Sequence, residues 1–424
     1  MSNSNVYAGV ITIGDEILYG QITDTNSQWI GNELANIGVK LRRKLSVGDD
    51  KNEIRAALAS VAAVCDIILI TGGLGPTKDD ITKNTLADYF GSSLAFQPEV
   101  FEHISRLFRA RGKENLIELN RGQAYIPANG EVVHNAVGTA PGMWFYFEGK
   151  VFISMPGVPH EMKKMMTDII LPRLKKEFKT PFIYHKIVRT IGIAESKLAN
   201  DIAEWEDALP KHIKLAYLPK LGQVRLRLTC IGDNLKELQA EADRQIEKLL
   251  PLIGEYIFGY DEEDIDQAIG KLLLKKGETV AVAESCTGGY VSHLFTSKSG
   301  SSAYFKGAVV AYSNEVKVNL LGVSPATLAK FGAVSEQTAK QMADGVRERL
   351  NSDYGISITG VAGPTGGTPE KPVGTVWIAY SSAKQTVAQL LTLTTDRTSN
   401  IQLSTNAVLN MLRLKIEEEN QETN

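Results

Sequence analysis

Ile67-Ile68-Leu69-Ile70-Thr71-Gly72-Gly73-Leu74-Gly75-Pro76 is the stretch that sets the fold class of the first part of this chain. A short unbroken apolar run ending in a glycine turn reads as a strand buried on both faces, as in a parallel sheet. The mostly apolar run 6–13 reads the same way, and so does 151–155, which leads into Pro156-Gly157-Val158-Pro159. Helices are expected at 26–37 and 51–65 between the first two strands, and from His160 to about Lys176 after the third. Strands alternating with helices predict an α/β domain over 1–175.

Working outward, the pattern changes after Pro181. Strands at 184–191, 214–218 and 223–231, with helices at 195–208 and 234–250, predict a small α+β module over 181–254. A second α/β unit, 260–420, starts with a helix at 265–275 that Gly277 stops. A strand at 280–283, the turn Ser285-Cys286-Thr287-Gly288-Gly289, and strands near 304–311, 354–359 and 375–381 follow. The polar tail 417–424 reads as frayed.

The length of 424 residues calls for two or three domains, since single cores seldom grow beyond roughly 250 to 300 residues. With 43% hydrophobic and 22% charged residues the composition excludes disorder, collagen and coiled coil. The 46 basic and 49 acidic residues leave a net charge of -3, so no bulk field draws in nucleic acid or a membrane, and small molecules are the expected partners. No stretch reaches the roughly 18 apolar residues of a membrane span, and the first residues lack a basic segment followed by an apolar one. Three widely spaced cysteines without a CxxC fit a reducing cytoplasm. None of the six histidines pairs at helical ligand spacing, so any metal would be held by carboxylates and be magnesium-like.

Two places carry chemistry. Ser285 stands where a strand ends and a helix begins, and Thr287, Gly288 and Gly289 set bare N–H groups beside it, an arrangement that can stabilise an oxyanion or phosphate. A serine nucleophile needs a base. His293 is the only imidazole of its domain, so the candidate is Lys317 in Tyr312-Ser313-Asn314-Glu315-Val316-Lys317, provided burial lowers its pKa. The competing reading is a helix-capping Ser285 and Thr287 with Lys317 as a surface charge. In Thr71-Gly72-Gly73-Leu74-Gly75-Pro76-Thr77-Lys78-Asp79-Asp80-Ile81-Thr82 the glycines free N–H groups to cradle a phosphate, and Asp79-Asp80 can position a divalent ion or a water. A Walker A ending is missing. The competing reading is a plain turn whose aspartates favour a helix N-terminus.

The blocks Ala283 to Gly289, Gly300-Ser301-Ser302, Tyr312 to Glu315 with Lys317, Gly332-Ala333-Val334-Ser335, Thr359-Gly360-Val361-Ala362-Gly363-Pro364 and Lys371-Pro372-Val373-Gly374-Thr375-Val376 together resemble the CinA C-terminal (PncC-type) amidohydrolase family. That resemblance implies hydrolysis of the carboxamide of nicotinamide mononucleotide to nicotinate mononucleotide and ammonia, without a metal. It makes Ser285 the nucleophile and Lys317 its base, with Tyr312 assisting. Asn314, Thr359, Gly360 and the loop from Gly363 to Gly367 would line the substrate site, and Arg397 would meet the phosphate.

The first domain is similar to the molybdopterin-binding fold of MoaB and Mog-like proteins, a three-layer α/β architecture. The matching residues are the Gly72, Gly73 and Gly75 loop with Asp80, Gly14 to Leu18, Asp24-Thr25-Asn26, Gly138 to Gly142 and Met155 to Pro159. The resemblance implies hydrolysis of ADP-ribose to AMP and ribose 5-phosphate with magnesium or cobalt, Glu16, Asp79 and Asp80 holding metal and water and Lys83 neutralising phosphate. The middle module resembles the KH-type module of CinA but lacks a GxxG loop, so nucleic acid is not expected; a spacer that supports a homodimer is. The alternative to a bifunctional hydrolase is a nucleotide- or pterin-binding regulatory protein of the competence and DNA-damage response.

Overall fold

The computed structural model describes residues 6–421. The chain divides into two compact units, Met1–Tyr184 with Cys230–Gln239, and His185–Thr229 with Ala240–Asn424.

In the first unit the strands are β1 (Tyr7–Ile13), β2 (Lys40–Val47), β3 (Ile67–Thr71), the small pair β4 (Leu94–Phe96) and β5 (Tyr125–Pro127), β6 (Glu131–Val133), β7 (Gly142–Phe147) and β8 (Lys150–Met155). They form a six-stranded sheet in the order β2-β1-β3-β8-β7-β6. The first four are mutually parallel and the last two run antiparallel to their neighbours. β3 is buried at every position and β1 at all but its first, which is why they read as unbroken apolar runs. Alternate residues feed separate cores: Val10, Ile67 and Leu69 pack with Ile30 and Met162 on one face, Ile11, Ile68 and Ile70 with Ile54 and Leu58 on the other. The result is three layers, helix, sheet and helix.

Chain order reverses between β1 and β3, because β2 lies on one side of β1 and β3 on the other. Such a switch point opens a crevice at the carboxyl ends of the strands. The expected helix at 160–176 is broken into Pro159–Met165, a π-helical turn Met166–Ile170 and Leu171–Glu177. Pro172 lacks an N–H for the regular ladder, and the wider turn before it absorbs the missing bond.

The middle segment contributes β9 (Phe182–Ile191), β10 (Ile213–Lys220), β11 (Gln223–Gly232) and β12 (Ile257–Tyr260), in the order β10-β11-β9-β12. The sequence reading did not include β12. It has four residues, and its strand character comes from antiparallel pairing with β9 rather than from any local period.

The last sheet contains β13 (Val280–Glu284), β14 (Phe305–Val310), β15 (Tyr354–Gly360), β16 (Thr375–Ser381) and β17 (Thr386–Thr392), ordered β14-β13-β15-β16-β17. β13 runs parallel to both its neighbours, so the turns after β13, β14 and β15 gather at one edge. Gly277 ends the helix Ile265–Lys276 in the left-handed conformation, φ 68°, as expected. The tail is a correction: a helix runs over Arg397–Gln421, and buried Glu419 accepts hydrogen bonds from Tyr380 and Ser382. Those tertiary partners hold a polar turn that composition marked as frayed; residues 422–424 lie outside the described chain. No helix among the described residues is long and apolar enough to cross a membrane.

Candidate functional site

Ser285 directly follows β13, whose parallel neighbours fix it from both sides; its N–H donates to the Ile358 carbonyl of β15. Lys317 comes from the helix Asn314–Leu321 that follows β14 and is capped by Ser313, whose hydroxyl accepts from the Val316 N–H. Its Nζ lies 3.1 Å from Ser285 Oγ and 2.6 Å from the Ala311 carbonyl oxygen. With 2% of its surface exposed, Lys317 is not a surface charge. Burial holds its pKa below the usual lysine range, because the ammonium has little in exchange for its lost hydration.

The turn itself differs from expectation. The Gly289, Val291 and Ser292 N–H groups all donate to the carboxylate of fully buried Glu284, so the helix N-terminus is filled from within the protein and is not free for a substrate anion. The Gly288 N–H turns back to the Ser285 carbonyl, and neither Gly288, Gly289 nor Thr287 lines the cavity. Glu284 is a residue the sequence reading missed; a carboxylate three residues before a run of freed N–H groups is the available signal.

A cavity of about 280 Å³ opens on the pair, lined by Tyr312, Asn314, Thr359, Gly360, Gly363 and Arg397. Arg397 donates to the Gly363 carbonyl at 2.9 Å and to the Tyr312 hydroxyl at 3.2 Å, which ties the loop after β15 to the stretch after β14. The Thr359 hydroxyl donates to the Ala333 carbonyl, which commits it to the framework. A Cβ on Gly363 would stand 2.5 Å from Val373 Cγ1, at a φ of 92° that already favours glycine. Asn400 is a residue the sequence reading missed. Fully buried, its amide donates to the Ala362 and Thr394 carbonyls and holds this loop from behind. Cys286 also lines the cavity, but burial pushes its thiol up to about 12, which keeps it protonated beside the Ser285–Lys317 pair.

In the first unit a cavity of about 520 Å³ occupies the switch-point crevice, with Gly72, Gly73, Gly75, Glu16 and Asp80 in its wall. A Cβ on Gly72 would meet the Ile13 carbonyl oxygen at 2.1 Å, so the close approach of loop and strand demands glycine. Asn26 donates to the Gly157 carbonyl at 2.7 Å and leaves its buried Oδ1 without a partner, an acceptor at the cavity wall.

Three expectations change there. Asp80 accepts from the Gly75 and Thr77 N–H groups at 2.7 and 2.9 Å and also from the Thr77 hydroxyl, so it pins the glycine loop rather than standing ready for an ion. Asp79 is exposed and does not line the cavity. The Lys83 ammonium donates to the Gly122 carbonyl at 2.6 Å, with its pKa lowered by burial, and is likewise outside the lining. Among the described residues no group of three or more acidic, histidine or cysteine side chains could hold a metal. Glu16, Asp79 and Asp80 therefore do not make a cage for a divalent ion.

Residues 262–416 match the family described as the CinA C-terminal domain, 9–176 a "probable molybdopterin binding domain", and 185–259 the damage-inducible protein CinA KH domain. A CinA-like protein of Cytophaga hutchinsonii is 50% identical over 416 residues, 98% of this chain and 99% of that relative. The chain belongs to the CinA family. The CinA-like protein of Flavobacterium psychrophilum is 44% identical over 410 residues, 96% of this chain and 98% of its own. Among solved structures, a competence/damage inducible protein of Agrobacterium tumefaciens is 37% identical, covering 36% of this chain and 93% of its own with a TM-score of 0.35. The CinA of Thermoplasma acidophilum is 35% identical, covering 42% and 100% with a TM-score of 0.37. In this CinA chain the Ser285–Lys317 pair falls inside the matched C-terminal domain, and the glycine loop inside the matched N-terminal one.

Proposed function

We propose that the C-terminal domain hydrolyses the carboxamide of nicotinamide mononucleotide to nicotinate mononucleotide and ammonia. The observation that carries this reading is the buried Lys317 amine 3.1 Å from the Ser285 hydroxyl, since a pocket that only binds has no use for a nucleophile with its own base. The neutral amine takes the Ser285 proton as Oγ attacks the carboxamide carbon. Collapse of the tetrahedral species breaks the C–N bond. Lys317 returns the proton to the leaving nitrogen, ammonia departs, and an acyl ester remains on Ser285. Water, deprotonated by the same amine, cleaves the ester to the carboxylate and restores the hydroxyl. Arg397 and Tyr312 at the cavity mouth receive the phosphate and ribose.

For the N-terminal cavity the same reading assigns a nucleotide, its phosphates against the Gly72–Gly75 backbone, and hydrolysis of ADP-ribose to AMP and ribose 5-phosphate. Because the carboxylates there form no cage, a divalent ion would have to arrive with the pyrophosphate. The commitment of Asp80 to the loop favours a second reading for this domain, a nucleotide- or pterin-binding module without catalysis.

The test is to incubate the full chain with nicotinamide mononucleotide and with ADP-ribose, with and without chelator, following ammonia and AMP separately. Ammonia release that persists in chelator supports the amidohydrolase; no ammonia under any condition overturns it. AMP formation abolished by chelator supports the pyrophosphatase, and its absence alongside tight pterin binding supports the second reading.

A further inference from the structure

The cavity at Ser285 carries charge of one sign. Lys317 and Arg397 are its cationic lining residues, and among the described residues no aspartate or glutamate lines it. The N-terminal cavity is the reverse, with Glu16, Asp24, Asp80 and Glu161 in its wall and, among the described residues, no lysine, arginine or histidine. A mononucleotide carboxamide brings a single anionic group, its phosphate, which Arg397 meets. Lys317 is left over for a second anion.

The geometry says where that anion arises. Lys317 Nζ lies 3.1 Å from Ser285 Oγ, and in the ester the acyl carbon is bonded to that oxygen. The carboxylate that water releases therefore forms within hydrogen-bond reach of the amine. Substrate presents a neutral carboxamide at this point and product a carboxylate. A neutral amine suits the first. An ammonium suits the second, because a charge pair is strengthened where solvent cannot screen it, and Lys317 is buried.

No protein group already plays the part of that carboxylate. The Cys286 thiol stays protonated, and Glu284 accepts from the Gly289, Val291 and Ser292 N–H groups. The Tyr312 hydroxyl accepts from Arg397, and Glu315, on the Lys317 helix itself, is exposed. The helix Glu336–Arg349 packs against the Lys317 helix. There Lys340 pairs with Glu336, Asp344 accepts from the Ser381 and Thr386 hydroxyls, Arg347 donates to Ser381 and lies 3.8 Å from Glu348, and Arg349 donates to the Asn319 carbonyl. The loop 361–366 adds no titratable side chain. Burial without a carboxylate partner is what holds the Lys317 pKa down.

We propose that this site binds the pyridine carboxylate more tightly than the carboxamide it acts on, Lys317 taking up a proton as it does so, and that the product therefore holds the enzyme more firmly as pH falls. The inference rests on the amidohydrolase reading of the domain. In balance, a neutral amine, a proton from solvent and a carboxylate become an ammonium–carboxylate pair, with no bond in the nucleotide made or broken. Affinity for the carboxylate should gain about tenfold for each pH unit lost between the lysine pKa of the complex and that of the free protein, and level off below.

The test is titration calorimetry on the full chain carrying Ser285→Ala, so that no substrate is consumed. Nicotinate and nicotinamide mononucleotides are compared over a pH series and in buffers of different ionisation enthalpy. Both share the phosphate, whose own titration cancels in the comparison. The carboxylate should bind more tightly, by a margin that grows as pH falls, and should take up close to one proton more than the carboxamide. Lys317→Met in the same background should erase both differences. Equal affinity at every pH, no extra proton uptake, or a margin that survives Lys317→Met would each overturn the proposal and leave the amidohydrolase reading standing. Binding of neither nucleotide would overturn that reading, and the proposal with it.

Discussion

Lys317 carries its amine into a site almost closed to water, where one carbonyl and one hydroxyl replace a full hydration shell. The lowered pKa has a sign that can be followed. The base acts only when neutral, so kcat/KM for the mononucleotide should hold above the depressed pKa and fall as pH drops through it. The unfolded chain, with an ordinary lysine, binds the proton more readily, so stability should rise with pH between the depressed value and the usual 10.5. Lys317→Met should abolish turnover and remove that stability slope, read from a pH–rate profile and from denaturation at several pH values. Ser285→Ala should reduce ammonia release to background with the fold intact by circular dichroism; turnover near wild type would remove Ser285 from the mechanism. Glu284→Gln keeps the shape but replaces an acceptor-only group with one that also donates into a cluster of N–H donors. It should cost about 2 kcal/mol in stability, from lost charge-assisted bonds and an unplaced NH₂, measured by urea denaturation.

At the scale of elements, each cavity is closed by a loop that a neighbouring side chain fastens. Asn400, on the long C-terminal helix, grips the loop after β15, and Asp80 grips its own glycine loop. Asn400→Ala should loosen the Ala362–Gly363 backbone and with it the Arg397 anchor. KM for the mononucleotide should then rise more than kcat falls, since the Ser285–Lys317 pair sits on other elements. Steady-state kinetics decide this, and a selective loss of kcat would contradict it. The helix Thr25–Asn36, capped by Asp24, and the strands β1 and β3 were legible from apolar runs and turn residues because their periods are local. The short β12 and the ordered tail were not, because each owes its form to a partner distant in sequence.

At the scale of the whole molecule, the two cavities use separate sheets and separate residues, so the activities proposed for them should be separable. Ser285→Ala should leave any AMP formation from ADP-ribose unchanged, and Asp80→Ala should leave ammonia release unchanged; parallel assays on both variants test this. Sequence by itself determined the α/β class, the order of the domains' motifs and the candidacy of Ser285 and Lys317, because buried strands, glycine turns and residue chemistry are properties of short segments. Only the tertiary structure decided that Lys317 is buried against Ser285, 32 positions away in the chain. It alone showed that Glu284 occupies the helix end, that Asp80 pins its loop, and that Asp79 and Lys83 do not line the cavity. Burial and hydrogen-bond partnership arise only when distant segments pack, and they decide whether a charged side chain is a base, a fastener or a solvated group.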